Sequence, residues 1–478
     1  MSLTLIIIFS LSSILISSIH SGKIRTSLLF ILSLTALYGL QPALTLRAFD
    51  YWLPTTAIGL AVWVWFATRN VELSRDRENE QALAQLIILV MVIAASSYLP
   101  KEVRWFTSLP LVWTDVLIFI LALTVVAWGI WIWRKRSRKV DGLLVIFIIA
   151  LFVGLKMPSL SIKLARVARQ ISGQSLDLAS ALDLNWLGFS YIAFRLLHVL
   201  RDYRSRRLPE LNLREFMLYV FFFPALSAGP IDRVERFIKD LSADRESTLW
   251  DQWHSGATRV VMGLFKKFVV ADSLALIALR YTHVDLVESR GWLWLLLYAY
   301  SFRIYFDFSG YTDIAIGIGM LSGIQLPENF QRPYLQTDLG AFWNRWHITL
   351  AQWFRAYVFN PLTRMLRQGT LKRYPWMIIL IAQLVTMVLI GLWHGVTWNF
   401  VAWGSWHALG LFIHNRWIDI QRRMNLAEWG GSVASIGRAF AGAFLTFNFV
   451  SLGWIWFSTP NMQVAWTTFL KLLGGRLG

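Results

Sequence analysis

The chain has 478 residues, of which 56% are hydrophobic and only 15% charged, well short of the charged share, about a quarter, usual in soluble domains. It contains no cysteine, which excludes disulfides, thiolate metal sites and a cysteine nucleophile; any thioester chemistry must use a thiol carried by the substrate. The net charge of +18 would fit nucleic-acid binding in a soluble protein, but here the basic residues cluster between apolar runs without any nucleic-acid module, so no nucleic acid is expected as a partner.

Residues 3–19, 51–67 and 112–133 form largely apolar runs long enough to span a bilayer core as helices, and similar runs recur to the C-terminus. The expected fold is an all-α polytopic membrane protein of about 11–13 transmembrane helices, a barrel being excluded by the lack of short alternating segments. The first run has no basic n-region and no small-x-small cleavage site, so it reads as the first transmembrane helix rather than a signal peptide. Lys23 and Arg25 follow it, which places the N-terminus outside. The loop around "TRNVELSRDRENE", the "RKRSRK" block and "RDYRSRR" then fall on the cytoplasmic side, where membrane lipids with anionic headgroups are their natural neighbours.

After about residue 208 the pattern changes. "FFFPALSAGPIDRVERFIKDL" starts as a span, meets prolines and a glycine, and turns amphipathic. Residues 327–347, "PENFQRPYLQTDLGAFWNRWH", are too polar to cross lipid and too aromatic for an ordinary loop. Irregular backbone at membrane depth survives only under protein cover or beside water, so re-entrant or interfacial elements around a cavity are expected here. The irregular elements all fall after about residue 185, and the first five or six spans read as plain. This divides the chain into a helical scaffold at 1–180, a functional core at 181–425 and a C-terminal helix and tail at 426–478.

Of the eight histidines, His20, His254 and His283 lie at span ends or in loops, and His198 and His414 lie near helix ends beside arginines. Three remain. His394, in "GLWHGVTW", is flanked by Gly391 and Gly395, which allow close approach of another backbone or an extended ligand; a hydrogen bond to a neighbouring helix is the competing reading. His407, in "GSWHALG", would be turned about 220° from His394 if both lay on one helix. His347 sits in "FWNRWHITLAQWFRAYVFNP", where Arg345 and Arg355 alternate with Trp343, Trp346 and Trp353. That pattern fits either an interfacial helix or a basic, aromatic surface for an anionic thioester donor. Asp307 and Asp313 interrupt an apolar region and call for a functional role or a structural pair, with Arg303 or Arg332 as partner. No HxxxH spacing exists, so no metal is expected.

These motifs resemble the membrane-bound O-acyltransferase family, in its bacterial branch that serves alginate O-acetylation and teichoic acid D-alanylation. The resemblance covers about residues 185–425 and follows the family's order. It runs from "LGFSYIAFRLLHVLRDYRS" and "FFFPALSAGPIDRVERF" through "GLFKKFVVADSLA" to "IYFDFSGYTDIAIGIGMLSGIQLPENFQRPYL", and then to "FWNRWHITLAQWFRAYVFNPL" and "GLWHGVTWNFVAWGSWHALGL". Two departures stand out: "YVFNPLTR" where relatives read "YLYIPLGG", and Ser458 where relatives tend to carry arginine.

The resemblance implies an enclosed helical bundle around a central tunnel, with His394 at the catalytic histidine position and His347 at the second signature position. It implies acyl transfer from a cytoplasmic thioester, acetyl-coenzyme A or an acyl carrier protein, to a hydroxyl, with no bound cofactor. An extracytoplasmic transferase or a glycan would receive the group, in a bacterial cytoplasmic membrane. His394 would act as general base, with Trp398, Asn399 or backbone N–H groups stabilising the oxyanion. Arg345, Trp346, Arg355, Asp307, Asp313, Trp393 and His407 would line the substrate path. A D-alanyl donor is the alternative within the family, and a lipid or sugar flippase without acyl chemistry is the alternative outside it.

Overall fold

Apolar runs bounded by polar or glycine-proline punctuation become helices throughout, and among the described residues there is no strand. The computed structural model describes residues 2–69, 77–136, 139–243, 248–284, 286–424 and 432–475. Parts of two loops used for the topology, 70–76 and 137–138, lie outside the described residues, as do 425–431 and 476–478 of the expected C-terminal segment.

Helix contacts divide the chain into two compact units, Met1–Val260 with Ile314–Leu326, and Val261–Asp313 with Pro327–Gly478. The first holds α1 (Leu3–Ser17), α2 (Gly22–Gly39), α3 (Phe49–Thr68), α4 (Arg77–Ser96), α5 (Trp113–Arg136), α6 (Val140–Lys156), α7 (Pro158–Ile171), α8 (Phe189–Arg204), α9 (Leu213–Phe221), α10 (Val234–Ser242) and most of α11 (Leu249–Leu264). Helix α9 buries "FMLYVF" whole and packs on α2 and α3, so the residues from 181 to Val260 group with the N-terminal helices. The second unit holds α12 (Asp272–Ile277), α13 (Tyr281–Val284), most of α14 (Arg290–Leu321), α15 (Leu339–Trp343), α16 (Ile348–Phe354), α17 (Asn360–Gln368), α18 (Pro375–His394), α19 (Trp398–Arg423), α20 (Ser432–Gly453), α21 (Ile455–Ser458) and α22 (Met462–Leu473).

Among the described residues four helical stretches are long and apolar enough to cross a membrane: Arg77–Ser96, Trp113–Arg134, Pro375–His394 and Ile436–Ser458. The α6–α7 pair adds a fifth if counted as one span. Other apolar runs fall in helices that are short or carry polar groups. Helix α1 has 15 residues, α3 contains Asp50 and Pro54, and α8 contains Arg195 and His198. A helix wrapped by protein does not need a uniformly apolar surface, so composition along the chain and the apolarity of single helices give different counts.

The first half is less plain than its composition predicts, because α6 and α7 meet at 95°. Pro158 lacks an N–H and keeps the residue before it out of the helical region; Met157 is extended, with φ −91° and ψ 111°. Beyond the bend, Arg169 and Asp183 are both buried and form a bidentate pair at 2.6 and 3.1 Å, with the Thr45 hydroxyl donating to the same carboxylate at 2.6 Å. Removing one charge leaves the other buried without compensation. Asp183→Ala is therefore expected to lower stability, read as a fall in unfolding temperature in detergent. Replacing Asp183 and Arg169 together by apolar residues of similar volume should recover most of that loss.

Candidate active site

The proline-interrupted stretch 327–347 closes on itself. The Gln331 N–H donates to the Arg345 carbonyl and the Ile348 N–H to the Asn329 carbonyl, each at 3.0 Å. His347 precedes α16 with φ 42° and ψ 54°, a left-handed backbone that non-glycine residues rarely adopt. Its buried ring sets Nδ1 3.1 Å from Oδ1 of Asn329. That oxygen also accepts the Thr349 backbone N–H at 3.2 Å and the Thr349 hydroxyl at 2.9 Å. A backbone N–H can only donate, so the shared atom is the amide oxygen, and Nδ1 must carry the imidazole proton. Nε2 is then the basic nitrogen, and it is buried without a hydrogen-bond partner. Burial, and after it the neighbouring His394, hold the His347 pKa well below the ordinary imidazole value and keep the ring neutral.

His394 is the last residue of α18, because Gly395 is extended and α19 starts only at Trp398. Two glycines bring these helices into backbone contact. A Cβ on Gly391 would lie 2.1 Å from the Phe400 carbonyl oxygen, and one on Gly404 would lie 2.5 Å from that of Met387. Gly404→Val is expected to cost about 3 kcal/mol, since the obstruction is backbone, and to lower the yield of monodisperse protein on size exclusion.

The half-buried His394 ring sits among aromatic groups, with centroids 4.6 Å from Trp393, 4.8 Å from Phe457, 5.7 Å from Trp403 and 5.8 Å from Phe400. Trp393 also lies 5.8 Å from His347 and so neighbours both imidazoles. His347, Trp393 and His394 are thus brought together, from a loop and a helix end.

The break at Gly395 removes the one-helix phase relation between His394 and His407, which stand on different helices. The two share Trp403 as a neighbour, 4.8 Å from His407. His407 is fully buried against Trp343, and neither ring nitrogen has a hydrogen-bond partner. A Cβ on Gly453 would lie 2.9 Å from its Nε2, so His407 is packed into the aromatic wall.

The remaining sequence candidates separate. Trp346 is buried and stacks on Phe342 and Tyr334 at 5.6 Å, as core rather than binding surface. Arg345 and Arg355 are exposed, with Arg355 donating to Asn344 at 2.7 Å. Trp398 is 76% exposed. Asn399 is buried, and its amide donates to the carbonyls of Trp456 at 3.3 Å and Thr459 at 3.0 Å, so these N–H groups tie α19 to α21 instead of serving an oxyanion. Asp313 pairs with Lys266 at 2.6 Å and Asp307 with Lys267; the partners are lysines of a π-helical stretch, Phe265–Ala271, rather than Arg303 or Arg332.

Asn329, which fixes the His347 tautomer, was missed. Its only sequence signal is a polar residue between "PE" and "F" in a segment without helical period. His198, read as lying near a helix end beside arginines, is buried in α8, with Nε2 2.9 Å from Asp202. With Glu235 these two form the one grouping of potential metal-ligand atoms among the described residues, and it includes neither His347 nor His394.

The description of the membrane-bound O-acyltransferase family matches residues 81–455. The teichoic acid D-alanyltransferase of Streptococcus thermophilus is 32% identical over 284 residues, which is 58% of this chain and 68% of that protein. The "Probable alginate O-acetylase AlgI" of Azotobacter vinelandii is 36% identical over 287 residues, 60% of this chain and 53% of that protein. The peptidoglycan O-acetyltransferase of Helicobacter pylori is 32% identical over 269 residues, 55% of this chain and 46% of that protein. The chain thus spans about two thirds of the first relative's length and about half of the other two. With most of its length matched, this all-helical, multi-pass chain belongs to the membrane-bound O-acyltransferase family, whose enzymes use a thioester acyl donor.

Proposed function

We propose that this protein transfers an acetyl group from a cytoplasmic thioester to a hydroxyl of a cell-envelope polysaccharide, or to an extracytoplasmic partner transferase that completes the delivery. The observation that supports this most is the meeting of His347 and His394 around Trp393. His394 removes the proton of the accepting hydroxyl as its oxygen attacks the thioester carbonyl. The carbon–sulfur bond then breaks, and the leaving thiolate takes the proton back from the imidazolium. A thioester is activated enough for this without a metal, and a positioned base supplies about 10²–10⁴-fold. His347 offers a neutral Nε2 acceptor that orients the hydroxyl or the donor's amide. The protein works in the bacterial cytoplasmic membrane with its N-terminus outside, and its donor is acetyl-coenzyme A or an acetylated carrier protein.

A D-alanyl donor is the second reading, favoured by the larger share of the D-alanyltransferase that is matched. One experiment separates them: thiol release by the purified protein in lipid vesicles, supplied in turn with acetyl-coenzyme A and with a D-alanyl carrier-protein thioester. Release from the first alone supports acetyl transfer, and release from the second alone replaces it with D-alanyl transfer. Intact thioester in both, with an acceptor glycan present, would leave transport without acyl chemistry as the better account.

A further inference from the structure

Between α3, α4 and α5 lies a cleft of about 460 Å³ with apolar walls that include Ile58, Val62, Leu86 and Ile120. It opens sideways. Ile87 and Trp128 on its rim are 41% and 63% exposed, and the same flank continues through the exposed Ile88, Leu121 and Val125. Helices α4 and α5 contain two of the stretches apolar enough to cross a membrane, so an opening between them would face hydrocarbon.

At the end of the cleft α3 stops, and Arg69 lies over the rings of Trp65 and Phe66 at 4.8 and 5.1 Å. Arg69 also lines a second, polar cavity of about 430 Å³, where Arg134 and Arg206 outnumber one acidic residue, Glu210, beside Tyr203 and Asn79. A single guanidinium therefore joins an apolar cleft to a basic one. Arg134 donates to the Phe66 carbonyl at 2.9 Å and to the Tyr203 hydroxyl at 3.3 Å. Among the described residues neither Arg69 nor Arg134 has a carboxylate at ion-pair distance, and the buried Nε of Arg69 lacks a hydrogen-bond partner. Burial, and then the nearby Arg134, draw the Arg69 pKa down, as expected of two like charges sharing a site. Such a pair is relieved by an anion that accepts several guanidinium hydrogen bonds.

We propose that the joined cavities bind an anionic phospholipid, its phosphate at Arg69 and Arg134 and an acyl chain in the cleft between α3, α4 and α5. A free phosphate would leave the cleft unused, and a zwitterionic lipid would bring a cation beside the two guanidinium groups.

The test is native mass spectrometry of the full chain from detergent micelles holding equimolar phosphatidylglycerol and phosphatidylcholine of identical chains. Wild type should retain phosphatidylglycerol about tenfold over phosphatidylcholine, and Arg69→Gln/Arg134→Gln should abolish the preference. Arg201→Gln, at an exposed arginine outside both cavities, should keep it. Thr124→Trp, which fills the cleft without touching charge, should lower retention of phosphatidylglycerol. Equal retention of both lipids by wild type would overturn the proposal, as would an unchanged preference in the double variant or in Thr124→Trp. Equal loss in Arg201→Gln would reduce the effect to general surface charge and also overturn it. Displacement of phosphatidylglycerol by millimolar inorganic phosphate would overturn it in favour of a simple anion site. If the double variant does not fold, Thr124→Trp and the phosphate competition still decide.

Discussion

His394→Ala is expected to lower thioester-dependent acyl transfer by about 10²–10⁴-fold, the range that a positioned general base contributes, if His394 is the base proposed above. His394 stands at the end of α18, half-buried, while Trp403, Phe400 and Phe457 around it belong to other elements and pack on one another. The variant should therefore keep its elution volume and unfolding temperature, and the loss should fall on turnover more than on the donor's KM. Thiol release from acetyl-coenzyme A in vesicles measures it. Equal release by wild type and variant would remove His394 from the base role.

His347→Ala is expected to give the second large effect, about 10²-fold in turnover, and Asn329 suggests how it would arise. The Asn329 carboxamide oxygen holds the proton on Nδ1 and leaves Nε2 as the acceptor. Asn329→Leu strands the Nδ1 proton in an apolar site, which costs about 1–3 kcal/mol, and frees the ring to adopt the other tautomer. Turnover should fall by about tenfold or more while donor binding is kept, and Asn329→Asp should restore part of it because a carboxylate also accepts from Nδ1. Unchanged turnover in Asn329→Leu would mean that the tautomer is irrelevant to the reaction. The same histidine makes a prediction about acid. Its folded pKa is depressed, so below the unfolded value of about 6.5 the unfolded chain binds a proton that the folded chain refuses. Stability contributed here is full above that pH and declines as pH falls. His347→Gln should flatten the pH dependence of the unfolding temperature between about 6.5 and 5.

Much of this molecule was legible along the chain. Apolar runs without alternation define a helical membrane protein because, in lipid, backbone groups must be satisfied within the segment itself. The glycines flanking His394 read correctly as positions of close approach, although the approaching group at Gly391 is the Phe400 backbone. The charged stretch "FWNRWHITLAQWFR" was harder to read, since its arginines and tryptophans alternate in sequence but part in space: Arg345 and Arg355 are exposed and Trp346 is core. The lysines that neutralise Asp307 and Asp313 come from a different helix, and no spacing rule connects them.

The sequence alone determined the helical class, the membrane setting, the absence of a protein thiol and the two histidines worth testing, because composition and local period carry that information. Only the tertiary structure decided that His347 and His394 face a common tryptophan, that Asn329 sets a tautomer, that Asn399 has committed amide donors, and that α6 and α7 break apart at Pro158. Each of these depends on which distant segments pack together or on how two helices meet at a break. Close packing is a property of surfaces in contact, which residue order constrains but does not display.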